Sequence, residues 1–501
     1  MMTSLWLETE QTDTEQTGTV SDFCEPDATY DAVVVGAGLT GLTTALLLAR
    51  AGLSVAVLEA RFIGAVTTGH TTAKLSLLQG RVLSSILARG SAHVLKAYVE
   101  GNREGQEWML RYLDDHTVPV QRRDAYSYAA TPDGAGAVDV ELRACHEAGL
   151  PVESVIETGL PFATYGAIRL ADQAQFNPMD VLRTLAADVR DRGGIIVEGA
   201  RVTGVDVGEP STVATTLGAV HATTVILATG IPILERGLYF AKVKPSRSYA
   251  QAYRMPEAGV LPQGMYLSFD QPTRSLRTAT VGGEELLIVG GNSHTVGREG
   301  PTSKYVDDLE AWTLQHFPGA QCTHAWSAQD YRSINRVPFV GWMPRTGKKV
   351  ALATGYNKWG MTNAVAAALS IAADLLGGNM QWANTLHRRL TLPKDIVSAV
   401  AVNAEVGAGL ASGWVGAERH PVSESTLHEG QGTVGNDGGK PVAASKVGGE
   451  VCRLSAVCTH LGGIVTWNDA ERSWDCPLHG SRFGADGKVL EGPATEDLET
   501  L

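Results

Sequence analysis

The stretch DAVVVGAGLTGLTTALLLARAGLSVAVLEA, residues 31–60, decides the fold at the front of the chain. DAVVV is a short β-branched run, LTGLTTALLLARAG has apolar residues at helical spacing, and LSVAVLEA is a second strand-like run. A strand, a helix and a further strand in this order predict a β-α-β unit of a parallel sheet.

Three glycines, Gly36, Gly38 and Gly41, form a GxGxxG motif at the turn from strand to helix. In this context Gly36 permits the tight turn, Gly38 lets backbone amides approach a pyrophosphate, and Gly41 allows close packing of helix on sheet. Glu59 ends the next strand, 18 residues beyond Gly41, where a carboxylate accepts hydrogen bonds from an adenosine ribose. The motif therefore predicts a dinucleotide site.

Two later segments favour FAD over NAD. VILATG ends in the small-residue turn 228–230, and LATGYNKWGMT places a tight turn at 360–362, at the start of an Ala-rich helix. A helix N-terminus stabilises negative charge on a reduced flavin. The stretch GAGLASG at 407–413 imitates a second nucleotide loop, but no helical pattern follows it, so we expect no NAD(P)H site.

Length and composition limit the function classes. A chain of 501 residues is too long for one core and suggests two or three domains. Its net charge of −13 argues against nucleic acid or an anionic membrane surface as partner. We find no signal peptide and no bilayer-spanning run, and six cysteines in such a chain suggest a reducing compartment. We therefore expect a cytoplasmic protein without membrane insertion.

The stretch AVCTHLGGIVTWNDAERSWDCPLHGS, residues 456–481, holds two mixed pairs, Cys458 with His460 and Cys476 with His479. Zinc fingers usually group cysteines with cysteines and histidines with histidines, although zinc also accepts this ligand set. One cysteine and one histidine from each loop suit a two-iron centre, with both cysteines on one iron and both histidines on the other. We predict these four residues as metal ligands, with structural zinc as the alternative.

Residues 31–378 resemble the glycine/D-amino-acid oxidase-type FAD-dependent oxidoreductases, the DAO family. The resemblance includes the glycine loop, TTGHTTAK at 67–74, FNPMDVLRTLA at 176–186 and YRSINRVPFVG at 331–341. It implies oxidation of a C–N bond in an amine or amino acid. This chain has Asn335 and Arg336 where many relatives carry an acidic residue, which is a departure on the substrate side.

Residues 413–501 resemble Rieske [2Fe–2S] domains, through CTHLGG, CPLHGSRF and GPA at 492–494. High-potential relatives carry a disulfide where this chain has Gly463 and Leu478, so that bond cannot form here. The resemblance gives Ser481 a hydrogen bond to a bridging sulfide, while Phe483 replaces a tyrosine and loses its hydroxyl. Fewer hydrogen bonds predict a potential in the lower part of the Rieske range, about −150 to +300 mV.

The motifs and the DAO resemblance together give the predicted site residues. His70 corresponds to a histidine that binds FAD covalently in some relatives, but we favour a non-covalent flavin. The predicted cofactor-binding residues are Gly36, Gly38, Leu39, Thr40, Gly41, Glu59, Ala60, Arg61, Thr68, His70, Thr71, Thr72, Ala73, Val202, Ala228, Thr229, Gly230, Gly360, Met361 and Thr362. The predicted catalytic or substrate-contacting residues are Lys74, Tyr266, Arg277, Tyr356, Lys358 and Trp359.

The predicted fold is an α/β Rossmann-type FAD-binding domain with an α+β substrate domain and a small all-β Rieske domain at the C-terminus. The predicted division is an N-terminal tail at 1–30, the oxidoreductase at 31–380, a linker or helix at 381–412 and the Rieske domain at 413–501. FAD-binding parts fall at about 31–90, 165–240 and 325–380, and substrate-domain parts at about 91–164 and 241–324.

The sequence thus predicts an enzyme that oxidises an amine or amino acid at FAD and passes electrons singly through a Rieske cluster to an external carrier. The histidine edge of the cluster would be the exit. One alternative reverses the flow, so that an external donor reduces FAD through the cluster for oxidase or oxygenase chemistry. Another is a non-catalytic redox sensor or zinc-stabilised binding module. A Rieske oxygenase is disfavoured, because only 22 residues follow His479.

Overall fold

The computed structural model of the protein describes residues 2–8, 21–234, 236–256, 261–389, 403–404, 406–407, 409–410, 412–417, 421–422 and 427–501. Part of the predicted linker at 381–412, and part of the GAGLASG stretch within it, lie outside the described residues.

The described helices are α1 (Leu39–Arg50), α2 (Val82–Arg89), α3 (Ala92–Asp115), α4 (Ala135–Glu147), α5 (Pro178–Asp191), α6 (Ser303–His316), α7 (Gly360–Leu375) and α8 (Gln381–His387), with short 3-10 turns at Thr67–His70, Pro132–Gly134 and Tyr239–Ala241. No helix in this described part of the chain is both long and apolar enough to cross a membrane.

The described strands are β1 (Thr29–Val35), β2 (Val55–Leu58), β3 (Lys74–Leu75), β4 (Val120–Tyr128), β5 (Glu153–Val155), β6 (Ala167–Phe176), β7 (Ile195–Val197), β8 (Val202–Asp206), β9 (Ser211–Thr215), β10 (Gly218–Leu227), β11 (Val243–Arg254), β12 (Met265–Ser268), β13 (Arg274–Val281), β14 (Glu284–Thr295), β15 (Gln321–Ser333), β16 (Phe339–Trp342), β17 (Val350–Thr354), β18 (Gly432–Asp437), β19 (Lys440–Val447), β20 (Glu450–Ser455), β21 (Thr466–Asn468), β22 (Ser473–Asp475), β23 (Arg482–Gly484) and β24 (Val489–Glu491).

The first sheet is 8-stranded and contains the predicted β-α-β unit. Its main order is β16-β17-β10-β1-β2-β7, with β9 on β10 and β8 on β9. Strand β1 lies parallel to both β2 and β10, and its last four residues are fully buried. Such a continuous apolar strand is typical of a parallel sheet covered on both faces. Its carboxyl end leads into the glycine loop and α1.

The second sheet is 9-stranded and mostly antiparallel, in the order β15-β11-β14-β13-β12-β4-β6-β3, with β5 on β6. The largely apolar runs MYLSFD and ELLIVGG provide all of β12 and part of β14. The long strands β11 and β15 pair along their whole length and reach the C-terminal part of the chain. This sheet therefore links the flavin-side residues to the metal-binding loops.

Two of the helices begin at residues whose side chains cap the helix start. Asn177 caps α5 through its side chain, which accepts a hydrogen bond from Met179 N at 3.0 Å, and Pro178 occupies the first turn. Ser91 caps α3 in the same way, by accepting from Val94 N at 3.3 Å.

The C-terminal part forms two small antiparallel sheets, β18-β19-β20 and β21-β22-β23-β24. Its own apolar core contains Trp474, Phe483 and Leu454, each fully buried. At the other end of the chain, Leu5 and Trp6 are buried against the 67–74 segment, and Trp6 Nε1 donates to Thr71 O at 2.7 Å. The first residues are thus packed on the flavin-side segment.

Candidate functional site

The glycine loop has the geometry that a dinucleotide site requires. Gly36 has a φ of +105°, and a Cβ there would lie 2.7 Å from Ala228 O. A Cβ on Gly41 would lie 1.9 Å from Gly36 O, so only glycine allows α1 to start this close to the strand. Gly38 is the N-cap of α1 and provides no side-chain cap, which leaves the helix start open to an anion.

Glu59 closes the adjoining strand and is buried. Its carboxylate accepts from Ala37 N at 2.8 Å and from Arg61 N at 2.9 Å. Burial raises the pKa of Glu59, and these two N–H donors oppose the rise. The carboxylate is thereby fixed beside the glycine loop, with acceptor capacity left for a ribose.

A cavity of about 1430 Å³, partly open to solvent, begins at this loop. It extends from Glu59 and Arg61 past the start of α1 to the YNKWG turn at the start of α7. Predicted cofactor residues that line it are Gly36, Gly38, Leu39, Thr40, Glu59, Ala60, Arg61, Thr68, Thr71, Val202, Ala228, Thr229, Gly230, Gly360 and Met361. An elongated space with an uncapped helix start and a ribose-type carboxylate fits FAD.

The remaining predicted cofactor residues lie behind the wall. Gly41 and Thr362 serve packing, as Thr362 Oγ1 donates to Asn102 Oδ1 at 2.6 Å within a buried polar network. Thr72, Ala73 and His70 are also not cavity-lining. The His70 ring Nδ1 lies 2.8 Å from Val66 O, and burial lowers its pKa to about 4. This placement favours a flavin held without a covalent bond.

The YNKWG turn places Tyr356 and Lys358 in the cavity wall. Tyr356 Oη lies 2.8 Å from Thr40 Oγ1, at the start of α1. Asn357 and Lys358 both adopt positive φ, of 52° and 72°. Two successive left-handed residues other than glycine cost about 1–3 kcal/mol each and cluster at functional sites.

The other predicted catalytic residues are not brought to the cavity. Lys74 Nζ donates to Tyr266 O at 2.7 Å and to Ser275 Oγ at 2.6 Å, inside the second sheet. Tyr266 Oη donates to Thr158 O at 2.9 Å. Trp359 packs, partly buried, against the apolar core behind α2 and α3.

Arg277 is also buried within the second sheet and donates to the carbonyls of Thr72, Ala73 and Phe176 at 2.7–3.2 Å. Those contacts suit a structural role in place of the predicted grip on a substrate carboxylate.

Several positively charged side chains lie near one another beside the cavity, and the sequence did not predict that they would do so. Lys358 Nζ lies 2.9 Å from Ser248 Oγ and 3.8 Å from Asp330 Oδ1. Arg332 is near both Lys358 and Arg336, and burial together with Arg332 and Arg89 lowers the pKa of Arg336 to about 10. Positive charges gathered this closely favour an anionic ligand.

The sequence reasoning also missed part of the wall. Arg201, Asp330 and Tyr331 line the cavity, and so does the C-terminal segment 490–495 apart from Pro493. Arg201 Nη2 donates to Val489 O at 2.8 Å, which ties the adenosine end to β24. GPA at 492–494, which the sequence indicated only as part of the Rieske resemblance, therefore contributes Gly492 and Ala494 to the flavin cavity as well.

The two metal-binding loops are built alike. Cys458 N donates to Gly463 O at 2.8 Å, and Cys476 N donates to Ser481 O at 2.8 Å, in each case five residues on. In both loops the cysteine carbonyl accepts from a glycine N–H four residues on, at 3.0 and 3.1 Å. These glycines, Gly462 and Gly480, have φ of 70° and 81°, a conformation that glycine adopts at no steric cost.

The loops bring the four predicted ligands together. Cys458, Cys476 and His479 are buried, and the rings of His460 and His479 are 5.2 Å apart. Contact between the two sulfurs lowers the pKa of Cys458 and raises that of Cys476. A pair of thiols beside a pair of imidazoles fits a [2Fe–2S] cluster, since each iron takes two protein ligands.

The zinc alternative requires a different arrangement. Among the described residues, no three or more His, Cys, Asp or Glu side chains are grouped to hold a single ion. A structural zinc takes four ligands at one point. The pairing of one cysteine with one histidine in each loop favours the two-iron centre, in which each iron takes two protein ligands.

Residues around the loops explain the departures from high-potential relatives. A Cβ at Gly463 would lie 2.6 Å from Leu478 Cγ and 3.1 Å from Cys476 Sγ, so Leu478 fills the space of the absent disulfide. Ser481 Oγ accepts from Ala494 N at 3.0 Å, and its hydroxyl contacts the Cys458 sulfur. Phe483 is fully buried in the apolar core of this part.

The C-terminal part packs directly on the flavin-binding part. The ring of Phe240 meets His479 edge-on at 5.0 Å, so His479 faces the flavin side. Of the two histidines, His479 is buried and His460 is partly exposed, so the expectation of a histidine edge open to solvent fits His460 alone. Buried Arg247 of β11 pairs with Glu471 and lies 3.7 Å from Glu491, across the same contact.

Comparison with known proteins agrees with both halves of this site. Residues 31–374 match the sequence model of the DAO family, described as FAD dependent oxidoreductase. Residues 420–501 match that of the Rieske [2Fe-2S] domain. These matches confirm the predicted pair of cofactors.

Two relatives and one solved structure add detail. YhfW of Bacillus subtilis (strain 168), a protein named for a Rieske 2Fe-2S centre, is 30% identical over 484 residues, 95% of this chain and 94% of YhfW. The cytochrome b6-f complex iron-sulfur subunit of Synechococcus sp. (strain JA-3-3Ab) is 56% identical over 48 residues, 10% of this chain and 28% of that subunit. The crystal structure of glycine oxidase from Geobacillus kaustophilus superposes with a TM-score of 0.59 at 17% identity, over 71% of this chain and 96% of that chain. The last likeness concerns the fold and confirms the predicted fold class.

Proposed function

The chain belongs to the DAO family of FAD-dependent oxidoreductases and ends in a Rieske [2Fe-2S] domain, and on that premise we propose that it oxidises a C–N bond and exports the electrons singly. The proposed substrate is an amino acid, and the proposed acceptor is an external one-electron carrier. The proposed division of the chain remains an oxidoreductase part at 31–380 and a Rieske domain at 413–501. A reducing, cytoplasmic setting suits its six cysteines, two of which are the proposed cluster ligands and none of which pairs in a disulfide.

The observation that supports this proposal most is the shared wall between the two cofactor sites. Ala494 lines the flavin cavity, and its backbone N–H donates to Ser481 Oγ in the cluster loop at 3.0 Å. His479 of the same loop lies against Phe240 of the flavin-binding part. Two cofactors separated by so thin a layer suit electron exchange inside one chain.

The electron count requires both sites. Oxidation of an amine carbon to an imine releases two electrons and two protons, and FAD takes up a hydride equivalent while the cluster holds one electron. The cluster must therefore pass its electron to the external carrier twice per turnover, and the two protons go to solvent. His460 is only partly buried, which suits the exit.

The cationic group favours an amino acid over a neutral amine. Lys358 is in the cavity wall with Asp330 at 3.8 Å, Arg332 is near Lys358 and Arg336 is near Arg332, so the cations outnumber the carboxylate in a chain whose net charge is −13. A positive region within an acidic protein attracts a carboxylate and holds it near the flavin. We propose that Lys358 is the cation that contacts the substrate. We also propose that Tyr356 holds the YNKWG turn in place in the cavity wall through its hydrogen bond with Thr40.

The test is anaerobic mixing of the oxidised holoprotein with matched pairs, each an amino acid and the amine left by its decarboxylation. We expect the amino acid to bleach the flavin and the reduced-cluster electron spin resonance signal to follow, with a weaker response to the amine. Lys358→Met should weaken saturation by the amino acid and leave that by the amine nearly unchanged. A flavin that no member of the pairs bleaches, but that an external one-electron donor reduces, would support the reversed flow instead.

A further inference from the structure

Gln329, in β15, contacts both cofactor sites. Its backbone carbonyl accepts from Thr67 Oγ1 at 2.8 Å, and Thr67 lines the flavin cavity. Its side-chain Nε2 donates to Gly480 O at 2.8 Å, and Gly480 directly follows the ligand His479. One buried residue thus links the flavin wall to the metal-binding loop.

Tyr331, two residues further along β15, holds this side chain in place. Gln329 Nε2 also donates to Tyr331 Oη at 2.8 Å, and Tyr331 Oη donates to Gly492 O at 3.3 Å. The tyrosine ring lines the cavity and lies against Gly230, where a Cβ would approach it to 3.1 Å. Burial raises the pKa of Tyr331, so the phenol stays protonated and keeps its donor.

The contact is close and buried. A Cβ at Gly480 would lie 2.9 Å from Gln329 Nε2 and 2.6 Å from Pro245 Cβ, so the loop lies directly on the sheet. Gln329, Tyr331 and His479 are all almost fully buried. A buried amide in this position keeps one geometry, because losing its partners would leave polar atoms unsatisfied.

We propose that Gln329, held by Tyr331, is a positioning residue that fixes the cluster loop against the flavin cavity and sets the rate of electron transfer between them. This rests on the proposed function. Each transfer moves one electron from the reduced flavin to the oxidised cluster, and no covalent bond forms or breaks. The hydrogen bond to Gly480 O also belongs to the surroundings that tune the cluster's potential.

The neighbouring strand offers a matched control. Gln251 and Tyr253, in β11, form the same pair two residues apart, with Tyr253 Oη donating to Gln251 Oε1. Both are buried, and Gln251 Nε2 donates to Val306 O at 3.2 Å, away from the cluster loops. Gln251→Leu and Tyr253→Phe therefore repeat the chemical change of Gln329→Leu and Tyr331→Phe without touching the proposed contact.

The experiment starts from photoreduced flavin in the anaerobic holoprotein, so it does not depend on the substrate. The rate of appearance of the reduced-cluster spin resonance signal is compared among the wild type and the four variants, each with its iron and flavin content measured. We expect Gln329→Leu to slow the transfer about tenfold or more, as loss of a metal site's outer partners typically does, and Tyr331→Phe to slow it less. A dye titration should also show a changed cluster potential in Gln329→Leu only.

The possible outcomes distinguish failure of the proposed function from failure of the positioning role of Gln329. If the wild-type flavin never reduces the cluster, the proposed function fails. If it does, but Gln329→Leu matches the wild type in rate and potential, the positioning role fails. Equal slowing in Gln251→Leu would also overturn it, because general damage to the sheet would then suffice. If the Gln329→Leu protein loses its iron, the comparison of Tyr331→Phe with Tyr253→Phe replaces it. Slower cluster reduction in Tyr331→Phe alone would support the positioning role, and equal rates in the two variants would overturn it.

Discussion

Replacing Arg247 by methionine should loosen the Rieske domain from the flavin-binding part. Arg247 is 1% exposed in its side chain and pairs with Glu471 of the Rieske domain. Burial alone would raise the pKa of Glu471, but Arg247 and Arg482 outweigh burial and hold it at about 2. Removing one partner of a buried ion pair costs about 3–5 kcal/mol when the other charge is left uncompensated. Arg482 still pairs with Glu471 at 3.0 Å, so the cost of removing Arg247 should be smaller than that.

The pKa of Glu471 gives the same order of magnitude. A net fall from 4.5 to about 2, at about 1.4 kcal/mol per pKa unit, corresponds to about 3 kcal/mol, which is what remains of the attraction of Arg247 and Arg482 after the opposing effect of burial. Because this folded-state pKa is depressed, the stabilisation is present above pH 4.5 and is lost as the pH falls through 2. The difference between the variant and the wild type should therefore be largest near neutral pH.

The assay is urea unfolding of the holoprotein at pH 7, followed by flavin fluorescence. The control is Arg254→Met on the same strand. Its ion pair with Glu284 is 55% and 41% exposed, so its loss should destabilise the protein much less. Equal destabilisation by the two substitutions, or a loss below about 1 kcal/mol for Arg247→Met, would refute the reasoning.

Three further predictions follow from single residues. Burial raises the pKa of Glu491 from 4.5 to about 7, so the folded protein loses stability as the pH rises through this range and the carboxyl group ionises. Glu491→Gln should therefore have a higher melting temperature than the wild type at pH 8 and nearly the same one at pH 5. A difference in melting temperature that does not depend on pH would contradict this. Gly41→Ala should abolish flavin retention in the purified protein, because the new Cβ would lie 1.9 Å from Gly36 O. The control Gly136→Ala, whose Cβ would have no atom within 4 Å, should retain the flavin. A yellow Gly41→Ala protein would show that the turn can shift. Ser481→Ala should lower the cluster's midpoint potential in a dye titration, since a hydrogen bond to sulfur is lost, and an unchanged or higher potential would count against that bond.

Local sequence was sufficient where the chemistry is local. The glycine loop follows from sterics within about ten residues, as the 1.9 Å approach at Gly41 shows. The cluster loops follow from two short segments whose glycines repeat the same turn. In these places spacing alone indicates which backbone groups meet.

Contacts between segments that are distant in the sequence could not be predicted from the sequence. Nothing in the spacing of Tyr331 or of the 490–495 segment indicates that they share a cavity wall, because that depends on how the two domains pack. The same limit explains Arg277 and Lys74, whose side chains turn into the second sheet and meet backbone carbonyls. Burial and partners, which a motif does not encode, decide whether a charged residue reaches the ligand.

The most direct test of the account is the dependence of cluster reduction on protein concentration after photoreduction of the flavin in the anaerobic wild type. Electron exchange inside one chain predicts a first-order rate that stays constant when the protein is diluted tenfold. A rate that falls in proportion to dilution, or a cluster that stays oxidised beside a reduced flavin, would contradict it.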